Sequence, residues 1–146
     1  MRQAARAIII EDNKILVIAR DKEGDKYFTL PGGKVNDGET TEQALVREIQ
    51  EETKLLVTQQ KLVFIEEHPE PYNQQYIYLC EVAPHGEIGI SETAEESFLN
   101  QLGFNTHTPL WVYTNSFGIL SFRTPQLRDA ILNGLKKGFP DQPIKL

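Results

Sequence analysis

Apolar residues come in short β-branched runs at the start of the chain and at helical spacing further on. In "RAIIIEDNKILVIAR" two apolar runs flank the polar triplet "EDN", which predicts a hairpin from Arg6 to Arg20. The polar, glycine-containing "DKEGD" reads as a loop, and "KYFTL" as a short strand into Pro31. Gly32-Gly33 mark a backbone site that is tightly turned or closely approached. The period then changes to that of a helix from Thr41 to Thr53, with Thr40 and Gln43 as capping-box partners and Glu39 and Glu42 near its positive end. "LLVTQQKLVFIEEH" and "QQYIYLCEVA" read as two long antiparallel strands around the turn "HPEPYN". "SETAEESFLNQLGFNTHTP" is a long polar connection, and loops of this length inside a compact domain are often functional. "LWVYT" is a strand. A terminal helix follows, capped by Thr124, opened by Pro125, striped by Leu127, Ala130, Ile131 and Leu135, and ended by Gly138 and Pro140. No repeat or linker interrupts residues 1–146, so the expectation is a single domain of α/β (α+β) class: a mixed sheet with one helix after the first three strands and another at the end.

Composition narrows the classes. The chain is 40% hydrophobic and 25% charged, an ordinary globular balance. No apolar run approaches the roughly 20 residues of a membrane span, and charges break the apolar start too soon for a signal peptide, so the expected location is cytoplasmic with no membrane partner. Cys80 is the only cysteine; it lies in a strand pattern and reads as a buried thiol. His68, His85 and His107 lack ligand spacing and read as surface or turn residues. The net charge of −6 argues against a polymeric nucleic-acid partner and is awkward for an enzyme acting on any anion, unless a divalent cation reverses the local sign.

The helix supplies the oxygens for such a cation. With about 100° of rotation per residue, Glu48, Glu51 and Glu52 share an arc of about 100°, next to the apolar stripe of Leu45, Val46, Ile49 and Thr53. Glu48 and Glu52 form a like-charged i,i+4 pair, which costs a few tenths of a kcal/mol when exposed and more when desolvated. Mg²⁺ or Mn²⁺ favours carboxylate and carbonyl oxygens and would remove the conflict. The bland alternative is a solvated acidic face offset by Arg47 and Lys54.

The spacing decides between them. Gly33, five residues, Glu39, seven residues, then Arg47-Glu48-Ile49-Gln50-Glu51-Glu52 resembles the box G-x5-E-x7-R-E-U-x-E-E-x-G-U of the Nudix hydrolases, MutT-like enzymes, with U a bulky aliphatic residue. The one departure is Lys54, where the family has a glycine. A left-handed lysine there would cost roughly 1 kcal/mol, so the departure bears on the helix exit rather than on the chemistry.

The resemblance implies a Nudix-type α/β/α sandwich containing the acidic box helix and the C-terminal helix. It also implies hydrolysis of a nucleoside diphosphate linked to another group, with Mg²⁺ or Mn²⁺ as cofactor. Glu48, Glu51, Glu52 and a backbone carbonyl of Gly33 or Gly32 would hold the metal. Glu51 or Glu52 would serve as base and Arg47 would orient the acids. Glu39 would join the catalytic set or simply anchor the loop. A distal glutamate, Glu92, Glu95 or Glu96, often joins such sites. Arg20 and Tyr27 are candidate substrate contacts, with Gly32 and Glu96. Tyr72, Phe28, Phe104 and Trp111 are further stacking candidates, for which core packing is the alternative. The resemblance leaves a homodimer open. Two other readings share the scaffold: a non-catalytic nucleotide sensor, and an isoprenoid-diphosphate isomerase, which would need a catalytic cysteine that Cys80 does not suit.

Overall fold

A computed structural model describes residues 2–67, 72–91, 100–103 and 105–146. Strands β1 (Gln3–Glu11) and β2 (Lys14–Lys22) form the expected hairpin. Its turn is shorter than "EDN": only Asp12 and Asn13 lie between the strands, with φ of 51° and 61°. Two successive positive φ values match the twist of a tight hairpin, and Asp and Asn tolerate them. The strands pair only beside the turn, at Ile10↔Ile15 and Glu11↔Lys14, and then part. β1 continues between the short β4 (Gly32–Lys34), antiparallel, and β6 (Gln74–Val82), parallel. β2 continues between β3 (Asp25–Thr29) and β7 (Asn105–Tyr113). β5 (Val57–Glu67) pairs antiparallel with β6, as expected, and the two-residue β8 (Ile144–Lys145) pairs with β5.

The central place of β1 explains its composition. Ala4, Ala5, Ala7, Ile8 and Ile9 are all buried, because a strand covered on both faces needs a continuous apolar run. One core cluster joins Ala5, Ala7 and Ile9 to Ala44, Leu45 and Ile49 of α1 (Thr41–Thr53). A second joins Ile8, Ile15 and Ile77 to Leu127 and Ile131 of α2 (Pro125–Lys137). The mixed sheet therefore lies between two helices, the sandwich expected. Both helices have the bounds and caps expected: the Thr40–Gln43 capping box, and Thr124 accepting from Leu127 N–H with Pro125 behind it.

Three readings change. The Gly32-Gly33 site is closely approached, as one of the two expectations had it, but it forms the strand β4 rather than a turn. β7 starts five residues before the expected strand and takes His107 with it, so this histidine is buried rather than a surface or turn residue. Pro109 within β7 is compatible with an edge strand, which needs no ladder donor there. Arg20 lies inside β2 rather than at its end. Cys80 is buried as expected, and burial pushes its thiol up to about 12. Lys54 ends α1 in the left-handed region at φ 66°, the glycine-like conformation the departure raised.

Candidate active site

The loop before α1 is organised by one side chain. Arg47 Nε and Nη2 donate to Glu39 at 2.8 and 2.9 Å, and Nη2 also donates to the Lys34 carbonyl at 2.9 Å. Glu39 Oε1 accepts the Asn36 N–H at 2.9 Å. On its other side Arg47 Nη1 reaches Glu48 at 2.8 Å and Glu51 at 3.5 Å. The guanidinium hydrogen bond holds Glu39 below the usual carboxylate range, and the same bond raises Arg47 further. One cation thus ties the loop to the acidic face with charge-assisted bonds.

The three helix acids differ in environment. Glu48 and Glu52 are buried, at 8% and 3% exposure. Glu52 Oε1 accepts the Gly32 N–H at 2.9 Å, which pins the helix to β4. A Cβ on Gly33 would stand 2.6 Å from the Glu48 carboxyl carbon, so the glycine makes room for that carboxylate. Glu51 points more to solvent, and its backbone carbonyl accepts Ser91 N–H at 2.6 Å. Bonds from Ala7 N–H to Pro31 O and from Val35 N–H to Gln3 O set the phase of the β1–β4 ladder. That phase turns the Gly33 carbonyl toward β1. The Gly32 carbonyl instead accepts Arg6 Nη1 at 3.3 Å.

A recess of about 130 Å³ brings Glu48, Glu52, Gly32 and Gly33 together with Arg6, Arg20, Tyr72 and His107. A second recess of about 140 Å³ shares Arg6, Arg20 and Tyr72 with it and adds Tyr27, Gln75 and Arg123. Two guanidiniums approach the Tyr27 ring, Arg20 at 5.5 Å and Arg123 at 3.9 Å from its centre. The acidic helix and a basic strand wall therefore face one space, the arrangement a metal-bound polyanion requires. Among the described residues no three His, Cys, Asp or Glu side chains converge into a metal cage. The donor set is two buried carboxylates and a nearby backbone carbonyl. It fits Mg²⁺ or Mn²⁺, since Mg²⁺ is usually held by one or two carboxylates with water and substrate phosphates completing the shell.

Of the expected site residues, Glu48, Glu52, Gly32, Gly33 and Arg20 line the acid recess, and Tyr27 lines its neighbour. Glu39, Arg47 and Glu51 adjoin through ion pairs. Trp111 stacks on His85 and Phe28 packs beside the second core cluster. Glu92, Glu95, Glu96, Phe104 and His68 lie outside the described residues. Sequence reasoning missed Arg6 and His107. Arg6 left a signal, a lone charge inside an otherwise apolar strand; His107 left none.

The family model for the NUDIX domain matches residues 1–107. The chain belongs to the NUDIX family. Over 68 residues it is 47% identical to an ADP-ribose pyrophosphatase of Methanocaldococcus jannaschii, covering 46% of this chain and 40% of that protein. Over 70 residues it is 39% identical to an 8-oxo-dGTP diphosphatase of Proteus vulgaris, covering 47% and 62%. The match therefore spans less than two thirds of either curated relative. A NUDIX hydrolase from Nitrosomonas europaea superposes with a TM-score of 0.71 at 18% identity, covering 94% of this chain and 90% of that one, which supports the fold.

Proposed function

We propose that this NUDIX chain is a pyrophosphohydrolase that cleaves the P–O–P bridge of a nucleoside diphosphate derivative with Mg²⁺ or Mn²⁺. The observation that carries the reading is one recess with two buried glutamates on its helix side and two arginines on its strand side. Glu48, Glu52 and the Gly32 carbonyl would hold the cation, with Glu51 adding a more exposed carboxylate and Gly33 the space for Glu48. When bound, the cation neutralises phosphate charge and lowers the pKa of water. Arg47 holds Glu48 and Glu51 in orientation, and Glu39 fixes Arg47. Glu52 or Glu51 accepts the proton of the attacking water. The water oxygen bonds to one phosphorus, the bridging oxygen leaves with the other, and two phosphate products form. Arg20 stabilises charge on the diphosphate, and Tyr27 with its neighbouring Arg123 lines the space for the second half.

The relatives named for ADP-ribose and 8-oxo-dGTP make those two compounds the first substrates to try. We also propose that the chain acts as one domain on a small molecule, in the cytoplasm, without a polymeric nucleic-acid or membrane partner. The net charge of −6 supports this, and no described helix is long and apolar enough to cross a membrane. The test is phosphate or nucleotide release over a panel of nucleoside diphosphate derivatives, with Mg²⁺, with Mn²⁺ and with EDTA. Metal-dependent release from one class supports the reading. Flat inactivity with retained ligand binding would move it to a sensor.

A further inference from the structure

The strand side of the recess holds polar atoms that the fold leaves unused. In the β2–β7 ladder Arg20 stands directly opposite His107, and both line the recess that contains Glu48 and Glu52. The Arg20 side chain and the His107 backbone are each held by an asparagine. Asn105 Oδ1 accepts Arg20 Nη2–H at 2.9 Å, and the Asn100 side chain accepts the His107 backbone N–H at 2.6 Å and donates to the His107 backbone carbonyl at 2.8 Å. Arg20 Nε and His107 Nδ1 are nevertheless buried without a well-formed hydrogen bond, and the closest internal acceptor for the His107 ring is the Asn105 carbonyl. The His107 residue is only 7% exposed. Native structures rarely leave such atoms unsatisfied unless an ordered water, an ion or a ligand completes them. Arg6, in the same recess, differs: it donates to Gln75, Leu30 and Gly32 and is committed to holding strands together.

We propose that His107 and Arg20 form a phosphate-gripping pair on the β2–β7 wall, taking oxygens of the substrate's diphosphate that the acidic helix does not face. The inference rests on the pyrophosphohydrolase reading and adds a substrate-positioning residue to it. Arg20 Nε–H and the imidazole, in the tautomer that carries its N–H on the recess side, would both donate, which suits an oxygen-rich anion. Burial, then the Arg20 and Arg6 guanidiniums, push His107 down to about 4 against a smaller upward pull from the Asn105 carbonyl, so at neutral pH it contributes a neutral ring with a single N–H, shared between that carbonyl and a ligand oxygen, rather than a third cation.

The test uses the full chain with Mg²⁺ and inorganic pyrophosphate or ADP as probes. In the wild type, the imidazole ¹⁵N resonances of His107, identified by their absence in His107→Gln, should shift as either probe is added. In His107→Leu the Kd for ADP, and KM where turnover is found, should rise about tenfold or more while kcat changes less, with no loss of melting temperature. His107→Gln, which keeps a donor, should restore most of the affinity. Unshifted His107 resonances at saturating probe, or a Leu variant that binds like wild type, would overturn the proposal. The outcomes separate the two readings: probe-induced shifts in a protein inactive on every substrate would support the pair and reject hydrolysis. Turnover with indifferent His107 variants would do the reverse.

Discussion

Glu52→Gln separates the electrostatic cost of the acidic face from its use. Glu48 and Glu52 lie one turn apart and both are buried. Two unit charges about 6 Å apart at an effective dielectric of about 20 repel by roughly 3 kcal/mol. The Arg47 guanidinium, 2.8 Å from Glu48, offsets part of that. Removing the Glu52 charge should give a net relief of about 1 kcal/mol, and glutamine still offers Oε1 to the Gly32 N–H. In EDTA the variant should therefore melt about 2–4 °C above wild type. Adding Mg²⁺ should reverse the order. A ligand at 100 times its Kd stabilises the folded state by about 2.7 kcal/mol. Wild type should gain that increment, and the variant should lose most of it together with its hydrolytic activity. The assay is a pair of thermal melts, with and without Mg²⁺, beside a turnover measurement. A variant that melts below wild type in EDTA yet keeps the full Mg²⁺ increment would refute the reasoning. Glu52 would then be a structural partner of Gly32 and not a metal ligand.

Gly33→Ala places a methyl 2.6 Å from the buried Glu48 carboxyl carbon, so it should destabilise by about 1–3 kcal/mol and remove most activity. Calorimetry and turnover check this; wild-type values in both would show that the carboxylate moves aside freely. Lys54→Gly relieves a left-handed lysine at φ 66°, worth about 1 kcal/mol, but gives up a cation at the negative end of α1 worth about 0.3–1 kcal/mol. The melting temperature should stay level or rise by a few degrees, and a marked fall would show that the lysine side chain is positively used, for instance where it lies 3.6 Å from the position of a Gly89 Cβ.

The local rules of the chain were legible because they depend on neighbours in sequence. Thr40 and Gln43 close a capping box, Thr124 and Pro125 start a helix, and Asp12-Asn13 turns a hairpin, each through groups within a few residues. The acidic face followed from helical angle alone. The box spacing gathered its acids with the glycines, and Glu52 does meet the Gly32 N–H. Arg6 and His107 were a different matter. His107 sits in "NTHTP", a polar string with the look of a loop, and only pairing with β2 makes it a strand. Pairing partners remote in sequence leave no local period.

By itself the sequence determined the two helices with their caps, the hairpin, and the side of α1 that carries the carboxylates. Those features rest on backbone geometry and on charges a few residues apart. Tertiary structure decided which acids are desolvated, because burial depends on what packs against the helix: β4 covers Glu48 and Glu52 and leaves Glu51 half-buried beside Arg47. It also decided what faces them. β1 and β2 part after the turn, and the divergence brings Arg6, Arg20 and His107 from three strands to one recess. An acidic chain thereby acquires a basic wall where a diphosphate would lie, a juxtaposition set by long-range strand pairing.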